Sequence, residues 1–203
     1  MRVFLAATCS VPPDSRHLLR NSPYVLESFF YSESWQTEYI KNHWKAFLLD
    51  SGAFSFMSKP GVKVDFDAYL GKYIDYINAH DIKHFFELDI DSVVGLPKVE
   101  KMRDRLERET GKKCIPVFHR SRGKDYWLDM VKAYDYVAIG GFAIKAIKPA
   151  EFKYMDWFIK TAKDADCKIH ALGFTNQKGL NRYKFYSADS SSWTSSLRFG
   201  TVY

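Results

Sequence analysis

Short apolar runs alternate with longer amphipathic stretches along this chain, and this alternation constrains its fold more than any other feature of the sequence. Apolar runs bounded by polar residues or glycine predict strands, whereas apolar residues at helical spacing predict helices. Strands that alternate with helices are typical of a parallel sheet, because each connection must cross back over the sheet. The predicted strands are residues 2–8, 24–30, 46–52, 84–91, 114–119, 136–141, 168–174 and 185–190.

The clearest predicted helix follows Asp65, where Leu70, Tyr73 and Ile77 recur on one face. Asp65 suits the start of this helix, since an Asp side chain can accept hydrogen bonds from the amides of the first turn. The sequence GLP at 95–97 predicts the start of a second helix. This second helix covers 99–106, and further helices are predicted within 127–134 and 152–162.

Eight strands with intervening helices predict a compact (β/α)8 barrel of the TIM type, formed by residues 1–203 as a single domain. The outer ring of helices is expected to be reduced, because the segments after the first strand and before the last have room only for short helices. An open, doubly wound sheet is the alternative. The sequence lacks the GxGxxG and GxxxxGK[ST] motifs that would favour a nucleotide-binding fold of that second kind.

Composition supports a folded domain and disfavours several classes of protein. The chain has 203 residues, of which 46% are hydrophobic and 17% aromatic, enough for a substantial core. No apolar stretch is long enough to span a bilayer and the opening run is too short for a secretory signal, so a cytoplasmic protein without a membrane partner is expected. The three cysteines, Cys9, Cys114 and Cys167, are odd in number and widely spaced, which predicts neither a disulfide framework nor a zinc site.

Polar or glycine residues follow six of the predicted strands. In a barrel, the carboxyl ends of the strands face the active site, so these residues are candidates for function. Each also has a structural explanation, since an Asp can cap a turn, a Gly can supply a positive φ and a His can be a hydrogen-bonded interior residue. The candidates are Asp50, Asp89, Asp91, His119, Gly140, Gly141, Gly173 and Asp189.

Several carboxylates at one barrel mouth favour substitution at a sugar carbon. One carboxylate can attack as the nucleophile while another transfers a proton, and two displacements then leave the anomeric configuration unchanged. A divalent metal held by Asp89, Asp91 and His119 is the competing interpretation, although no HxH or HxxxH spacing supports it. The glycines leave backbone amides and space for a flat ligand, on which Phe54 could stack.

The motifs at these strand ends resemble those of the tRNA-guanine transglycosylases. "DSGAFS" is similar to the "DSGGFQ" signature of that superfamily, "ELDID" falls where it has its second aspartate, "IGGF" resembles its "GGLA" loop and "HALGFT" its "GVGTP" strand end. The order of the motifs agrees along the chain. "AFLLDSGAFS" and "YSADSSSW" look most like the DpdA-type enzymes of phages and bacteria, which exchange guanine in DNA for a 7-deazaguanine base.

The resemblance implies a role for each strand-end residue. Asp189 would be the nucleophile that attacks C1′ of the target nucleoside, and Asp50 its proton-transferring partner. Asp89 would accept hydrogen bonds from the ring N–H and exocyclic amine of guanine, which suits an ionised carboxylate because it only accepts. His119 would donate to O6 or N7 of the base, and the Gly141 N–H to the same oxygen. The predicted base pocket is completed by Gly140, Phe54, Leu172 and Gly173.

Two departures from the superfamily pattern refine the expectation. The enzymes that act on tRNA carry a CxCxxC…H zinc site, which this sequence does not contain, so a barrel without a zinc subdomain and without a cofactor is expected. Ala146 stands where bacterial enzymes place a glutamate that meets the aminomethyl group of their incoming base. An uncharged 7-cyano-7-deazaguanine is therefore the expected co-substrate.

A nucleic acid, with DNA favoured over tRNA, is the partner that the resemblance implies. The target base must leave its stack, and basic residues must hold the backbone. The net charge of +6 is compatible with such a partner, although solvated lysines are the commoner cause of such a balance. A non-catalytic nucleic-acid-binding barrel, or a small glycoside or metal-dependent hydrolase, remains the alternative. The predicted phosphate contacts are Arg120, Arg122, Lys124, Lys145, Lys178 and Arg182.

Overall fold

The protein is described by a computed structural model, which covers residues 1–21, 23–43, 47–52, 55, 64–143 and 146–194. These residues form an α/β fold with seven parallel strands and seven α-helices, which confirms the predicted fold class at that level. The strands are β1 (Arg2–Leu5), β2 (Val25–Ser28), β3 (Phe47–Asp50), β4 (Val117–Phe118), β5 (Tyr136–Ile139), β6 (Lys168–Ala171) and β7 (Ser187–Ser190). The helices are α1 (Ser34–His43), α2 (Phe66–Ala79), α3 (Asp91–Val94), α4 (Leu96–Thr110), α5 (Lys124–Ala133), α6 (Met155–Asp164) and α7 (Gln177–Tyr183).

Short 3-10 helices occupy several of the connections between these elements. One of them, Pro149–Tyr154, leads directly into α6, and Pro149 begins it because a proline needs no amide partner at a first helical position. The others in the described ranges are Thr8–Ser10, Pro13–Asn21, Phe29–Tyr31, Arg120–Arg122 and Ser192–Thr194.

The chain divides into two compact units, of which the first combines Met1–Leu5 with Ile115–Tyr203. Its five strands lie in the order β1-β7-β6-β5-β4, and all of the neighbouring pairs are parallel. The first strand of the chain therefore pairs with the last, with Arg2 opposite Ser187. This pairing is compatible with a (β/α)8 barrel, in which the first and last strands are neighbours.

The core of this unit lies between the sheet and the helices α5 and α6. Trp127 is fully buried there, and its ring packs against Phe118 and Phe158 with centroids 5.2 and 5.0 Å away. Its indole N–H donates to Thr161 Oγ1 at 2.7 Å, so the only polar atom of this large side chain is satisfied. Burial of these apolar faces holds the two helices against the strands.

The second unit, Ala6–Cys114, contains β2 paired in parallel with β3 and the helices α1 to α4. The strand predicted over 84–91 is present only as a parallel bridge between Phe85 and Leu49, with backbone bonds around it. It does not continue to Asp91 because the Ile90 N–H turns back to the Leu88 carbonyl, and α3 begins there.

The predicted helix starts agree with the structure. Asp65 is the N-cap of α2, and its side chain accepts from the Ala68 N–H at 3.0 Å. Gly95, with φ of 81°, precedes α4, which carries Pro97 in its first turn. These local signals are strong because each satisfies or removes an otherwise unpaired amide at a helix end.

No helix among the described residues combines the length and apolar character needed to cross a bilayer. The three cysteines are free, and burial raises the pKa of Cys167 to about 12 and also raises that of Cys114, so both stay protonated thiols. The prediction of a single domain over residues 1–203 stays a prediction.

Candidate active site

Asp189 lies near the carboxyl end of β7 with its side chain 12% exposed. Its Oδ1 accepts a hydrogen bond from the Gly173 N–H at 2.6 Å and lies 3.2 Å from His170 Nε2. Within the described part of the chain, no group donates to its Oδ2. The carboxylate is therefore anchored through one oxygen, and the other is left for chemistry.

The turn after β6 explains how the Gly173 amide reaches this carboxylate. Gly173 has φ of +64°, a left-handed conformation that side-chain-bearing residues rarely adopt. A Cβ at this position would lie 2.8 Å from the Cβ of Ala143, closer than carbon atoms can approach. Glycine is thus required both for the turn and for the close packing, and its N–H points at Asp189. The sequence predicts Gly173 as a residue of the base pocket; in the structure its amide anchors Asp189.

His170, on β6, is completely buried beside Asp189 and was not among the sequence candidates. Its Nδ1 lies 2.7 Å from Ser187 Oγ, and this hydroxyl lies 2.5 Å from the hydroxyl of Tyr136. Burial raises the pKa of Tyr136, which keeps that phenol protonated. A chain of hydrogen-bonding groups thus runs from Tyr136 through Ser187 and His170 to Asp189.

The sequence did carry a signal for this histidine. Ser187 and Asp189 are two residues apart on a strand and therefore share a face, and His170 pairs with Ser187 across β6 and β7. Three polar side chains on one buried face of adjacent parallel strands are unusual, because such strands are mostly apolar. Recognising the cluster requires the strand pairing and its register, which the sequence alone does not give.

His119 and Gly140 lie side by side on the same face of β4 and β5. A Cβ at Gly140 would lie 2.6 Å from His119 Cε1 and 3.0 Å from Val117 Cγ1. The space that this glycine leaves is thus taken up by the His119 ring, which is half-buried. A glycine here allows the imidazole to approach the neighbouring strand closely.

Gly141 supplies an amide that is available to a ligand. Its φ is +96°, and among the described residues its N–H donates to no acceptor, while its carbonyl accepts from Ile147 N. A Cβ here would lie 3.5 Å from the exposed Ala146. Leu172 is half-buried and donates its N–H to the Ile139 carbonyl. Two predicted site residues, Phe54 and Lys145, lie outside the described residues.

In the second unit, Asp50 is the last residue of β3 and supports a tight turn. Its Oδ2 accepts from the Gly52 N–H at 2.9 Å, and Gly52 has φ of +78° with no room for a Cβ, which would lie 2.4 Å from Phe30 Cβ. Burial and the Asp50 charge raise the pKa of Tyr69, whose hydroxyl donates to the Ser51 carbonyl. The structure thus supports the turn-forming role of Asp50 in the "DSGAFS" motif.

Asp89 is half-buried between the buried side chains of Leu88 and Ile90, after the Phe85 bridge. Asp91 lies in the first turn of α3. In the ranges that the structure covers, no three His, Cys, Asp or Glu side chains come together as metal ligands.

The predicted phosphate contacts differ in their surroundings. Arg120 pairs with Glu151, and Arg182 pairs with Asp156 at 2.6 Å, both as exposed ion pairs. Arg122 is only 9% exposed, and its guanidinium lies 5.5 Å from the centre of the Tyr126 ring. Lys124 and Lys178 are exposed at the starts of α5 and α7. Within the described ranges, neither of the two lysines forms an ion pair, in contrast to Arg120 and Arg182.

No protein-family model matches the chain, and a search of curated proteins found no significant match.

Proposed function

We propose that this protein is a base-exchange transglycosylase built on a (β/α)8 barrel, which replaces guanine in a nucleic acid by a 7-deazaguanine. The observation that carries the proposal is the state of Asp189: its Oδ1 is anchored by Gly173 and faces His170, and its Oδ2 accepts no hydrogen bond from the described residues. A carboxylate held in this way is suited to covalent catalysis at a sugar carbon. The choice of substrate rests on the motif resemblance.

The reaction consists of two displacements at C1′. In the first, Asp189 Oδ2 forms a bond to C1′ while the C1′–N9 bond breaks, and guanine leaves with the bonding electron pair and takes up a proton. In the second, N9 of the incoming 7-deazaguanine loses its proton and attacks C1′, which releases the carboxylate. Two inversions restore the original configuration. The proton transfers are assigned to Asp50 and the reading of guanine to Asp89, and both assignments rest on their motifs.

The neighbours of Asp189 support its role as a nucleophile. His170 Nε2 lies 3.2 Å from Asp189 Oδ1 and, together with the Gly173 amide, fixes the rotation of the carboxylate. Because the imidazole is buried and held by Ser187, it cannot turn away to solvent. His170 is thus a positioning residue, since it acts through Asp189.

In the same unit, the Gly141 amide and the His119 ring are donors suited to a carbonyl oxygen of a base. The proximity of Ala146 to Gly141 places a methyl group, rather than a carboxylate, beside this amide. A positively charged aminomethyl substituent would have no ion partner in Ala146. The proposal therefore takes 7-cyano-7-deazaguanine as the incoming base.

The test is an exchange assay in which the protein is mixed with labelled guanine and with either duplex DNA or tRNA. The wild-type protein is expected to transfer label into one polymer, DNA by preference. Asp189→Asn should lower the rate at least about a thousandfold, because the nucleophile is lost while size and hydrogen bonding are nearly kept. Asp129→Asn, a change of the same kind at an exposed position on α5, is the matched control.

The covalent step gives a second readout. Wild-type protein incubated with the polymer and no free base is expected to leave a protein–nucleic acid adduct on a denaturing gel, and Asp189→Asn is expected to leave none. Exchange by Asp189→Asn near the wild-type rate would refute the assignment of the nucleophile. Uptake of label into neither polymer would refute the proposed reaction, and uptake into tRNA alone would change its substrate.

A further inference from the structure

A cavity of about 470 Å³ lies in the first unit between the strands β4 and β5 and the amino-terminal ends of α5 and α6. Its volume is in the range of small-molecule sites. Two of its rim residues, Arg120 and Lys124, are also among the predicted phosphate contacts, but its interior is not used in the proposed base exchange. Its lining residues are Phe118, Arg120, Gly123, Lys124, Ile139, Ile147, Glu151, Tyr154, Met155, Trp157 and Phe158.

The cavity lies on the opposite face of the strands from the candidate active site. Val117, His119 and Gly140 share one face, because a Cβ on Gly140 would meet the side chains of both other residues. Phe118 and Ile139, which alternate with them along β4 and β5, therefore point to the other face, where the cavity is. A ligand in the cavity would not occupy the space beside His119.

Aromatic side chains form much of the wall. Phe118 and Phe158 lie with ring centroids 5.4 Å apart, and Trp157 and Phe158 with centroids 5.0 Å apart. Aliphatic side chains of Ile139 and Met155 complete the apolar lining. Flat, apolar walls of this kind favour a planar ring system, which gains both burial and ring-to-ring contact.

The rim carries an excess of positive charge. Lys124 Nζ lies 5.7 Å from the centre of the Trp157 ring, so this ammonium group is beside the aromatic wall. Arg120 is 72% exposed and pairs with Glu151, whose carboxylate also accepts from the Lys148 N–H. Two cations against one carboxylate favour an anionic group on the ligand, and an exposed pair such as Arg120–Glu151 costs little to rearrange.

We propose that this cavity is a binding site for a small planar aromatic monoanion, with its ring between the apolar walls and its anionic group at Lys124 and Arg120. This chemistry is that of an aryl carboxylate or sulfonate. A neutral arene would pack against the apolar walls but would not pair with the rim cations. A free phosphate would pair with the rim cations but would not pack against the walls. The site binds most tightly those ligands that combine the two features.

The test is calorimetric titration of the full chain with 2-naphthoate, compared with 2-naphthamide and with inorganic phosphate. Naphthoate is expected to bind at one site per chain, at least about tenfold more tightly than naphthamide. Lys124→Glu is expected to weaken naphthoate binding about tenfold and to leave the naphthamide affinity unchanged, because it reverses a rim charge at an exposed position. Lys132→Glu, on the same helix but away from the cavity, is the matched control and should bind as wild type.

A second variant tests the walls. Ile147→Phe places additional volume in the cavity and is expected to abolish naphthoate binding. If this variant does not fold, the comparison of Lys124→Glu with Lys132→Glu still decides the question. The proposal is overturned if naphthoate does not saturate a single site, if naphthamide binds equally well, or if the two lysine variants weaken binding to the same extent.

Discussion

At the scale of single residues, Glu27 is the most unusual ionisable group in the second unit. It is 2% exposed on β2, and its Oε2 accepts from Gln36 Nε2 at 2.5 Å, whereas Oε1 is buried with no hydrogen-bond partner among the described residues. Burial raises the pKa of this carboxyl from 4.5 to about 8, and the charge of Glu33 adds to the effect, while the bond from Gln36 opposes it. Glu27 is therefore protonated in the folded protein at neutral pH.

This raised pKa makes stability depend on pH. The unfolded carboxyl ionises near pH 4.5 and the folded one near pH 8, so the unfolded state releases its proton first as the pH rises. Below pH 4.5, Glu27 does not reduce the free energy of unfolding. Between pH 4.5 and pH 8, its ionisation in the unfolded state lowers that free energy by a total on the order of 4 kcal/mol.

Glu27→Gln is accordingly expected to remove most of the decline in stability between pH 5 and pH 8. Urea unfolding at a series of pH values measures it. Glu38→Gln, an exposed change on α1, is the control and should retain the wild-type slope. A Glu27→Gln protein that loses stability over this range as steeply as the wild type would show that this carboxyl is not the source.

At the scale of secondary-structure elements, the start of α2 shows how much one capping residue contributes to the free energy of unfolding. Asp65→Ala removes the acceptor for the Ala68 N–H and is expected to lower the free energy of unfolding by about 1 kcal/mol. Asp67→Ala, on the exposed first turn of the same helix, removes a carboxylate that pairs with Lys98 at the surface and should cost less. Chemical denaturation of the two variants compares them directly, and an equal loss would contradict the capping role.

The elements show what could be predicted from the sequence and what could not. Helix starts at Asp65 and Gly95 and the ends of strands at Asp50 and Asp189 follow from residues adjacent in the chain, so sequence analysis located them. His170 became a candidate only through its pairing with Ser187, because register between strands distant in sequence is set by tertiary packing. Pairing also explains why residues 84–91 were predicted as a full strand. An apolar run in the sequence does not show where the hydrogen bonds to a neighbouring strand end.

At the scale of the whole molecule, the net charge of +6 favours an anionic partner only through those cations that are not already paired with carboxylates. Arg182 donates to Asp156, and this hydrogen bond raises its pKa, so its charge is partly committed. Lys178 is exposed and has no ion-pair partner among the described residues. It is thus the better candidate for a phosphate contact under the proposed function.

Lys178→Ala is expected to weaken binding of every DNA sequence to a similar extent and to reduce the slope of log affinity against log salt by about one. Lys163→Ala, in the last turn of α6 just before β6, is the matched control with the same change of charge. Fluorescence anisotropy with two unrelated oligonucleotides over a salt series provides the measurement. A sequence-dependent loss, or an unchanged slope, would contradict a phosphate contact.

The pairing of β1 with β7 also bears on how the protein is made. Ala6–Cys114 is contiguous, so all its residues have been synthesised while much of the other unit is still missing. Arg2–Leu5 is synthesised well before its partner Ser187–Ser190, so the edge of β1 that receives β7 stays unpaired while the residues between them are made. Closing so long a loop is entropically costly and slows folding. The nascent chain thus carries a strand edge able to pair with other chains until translation reaches β7.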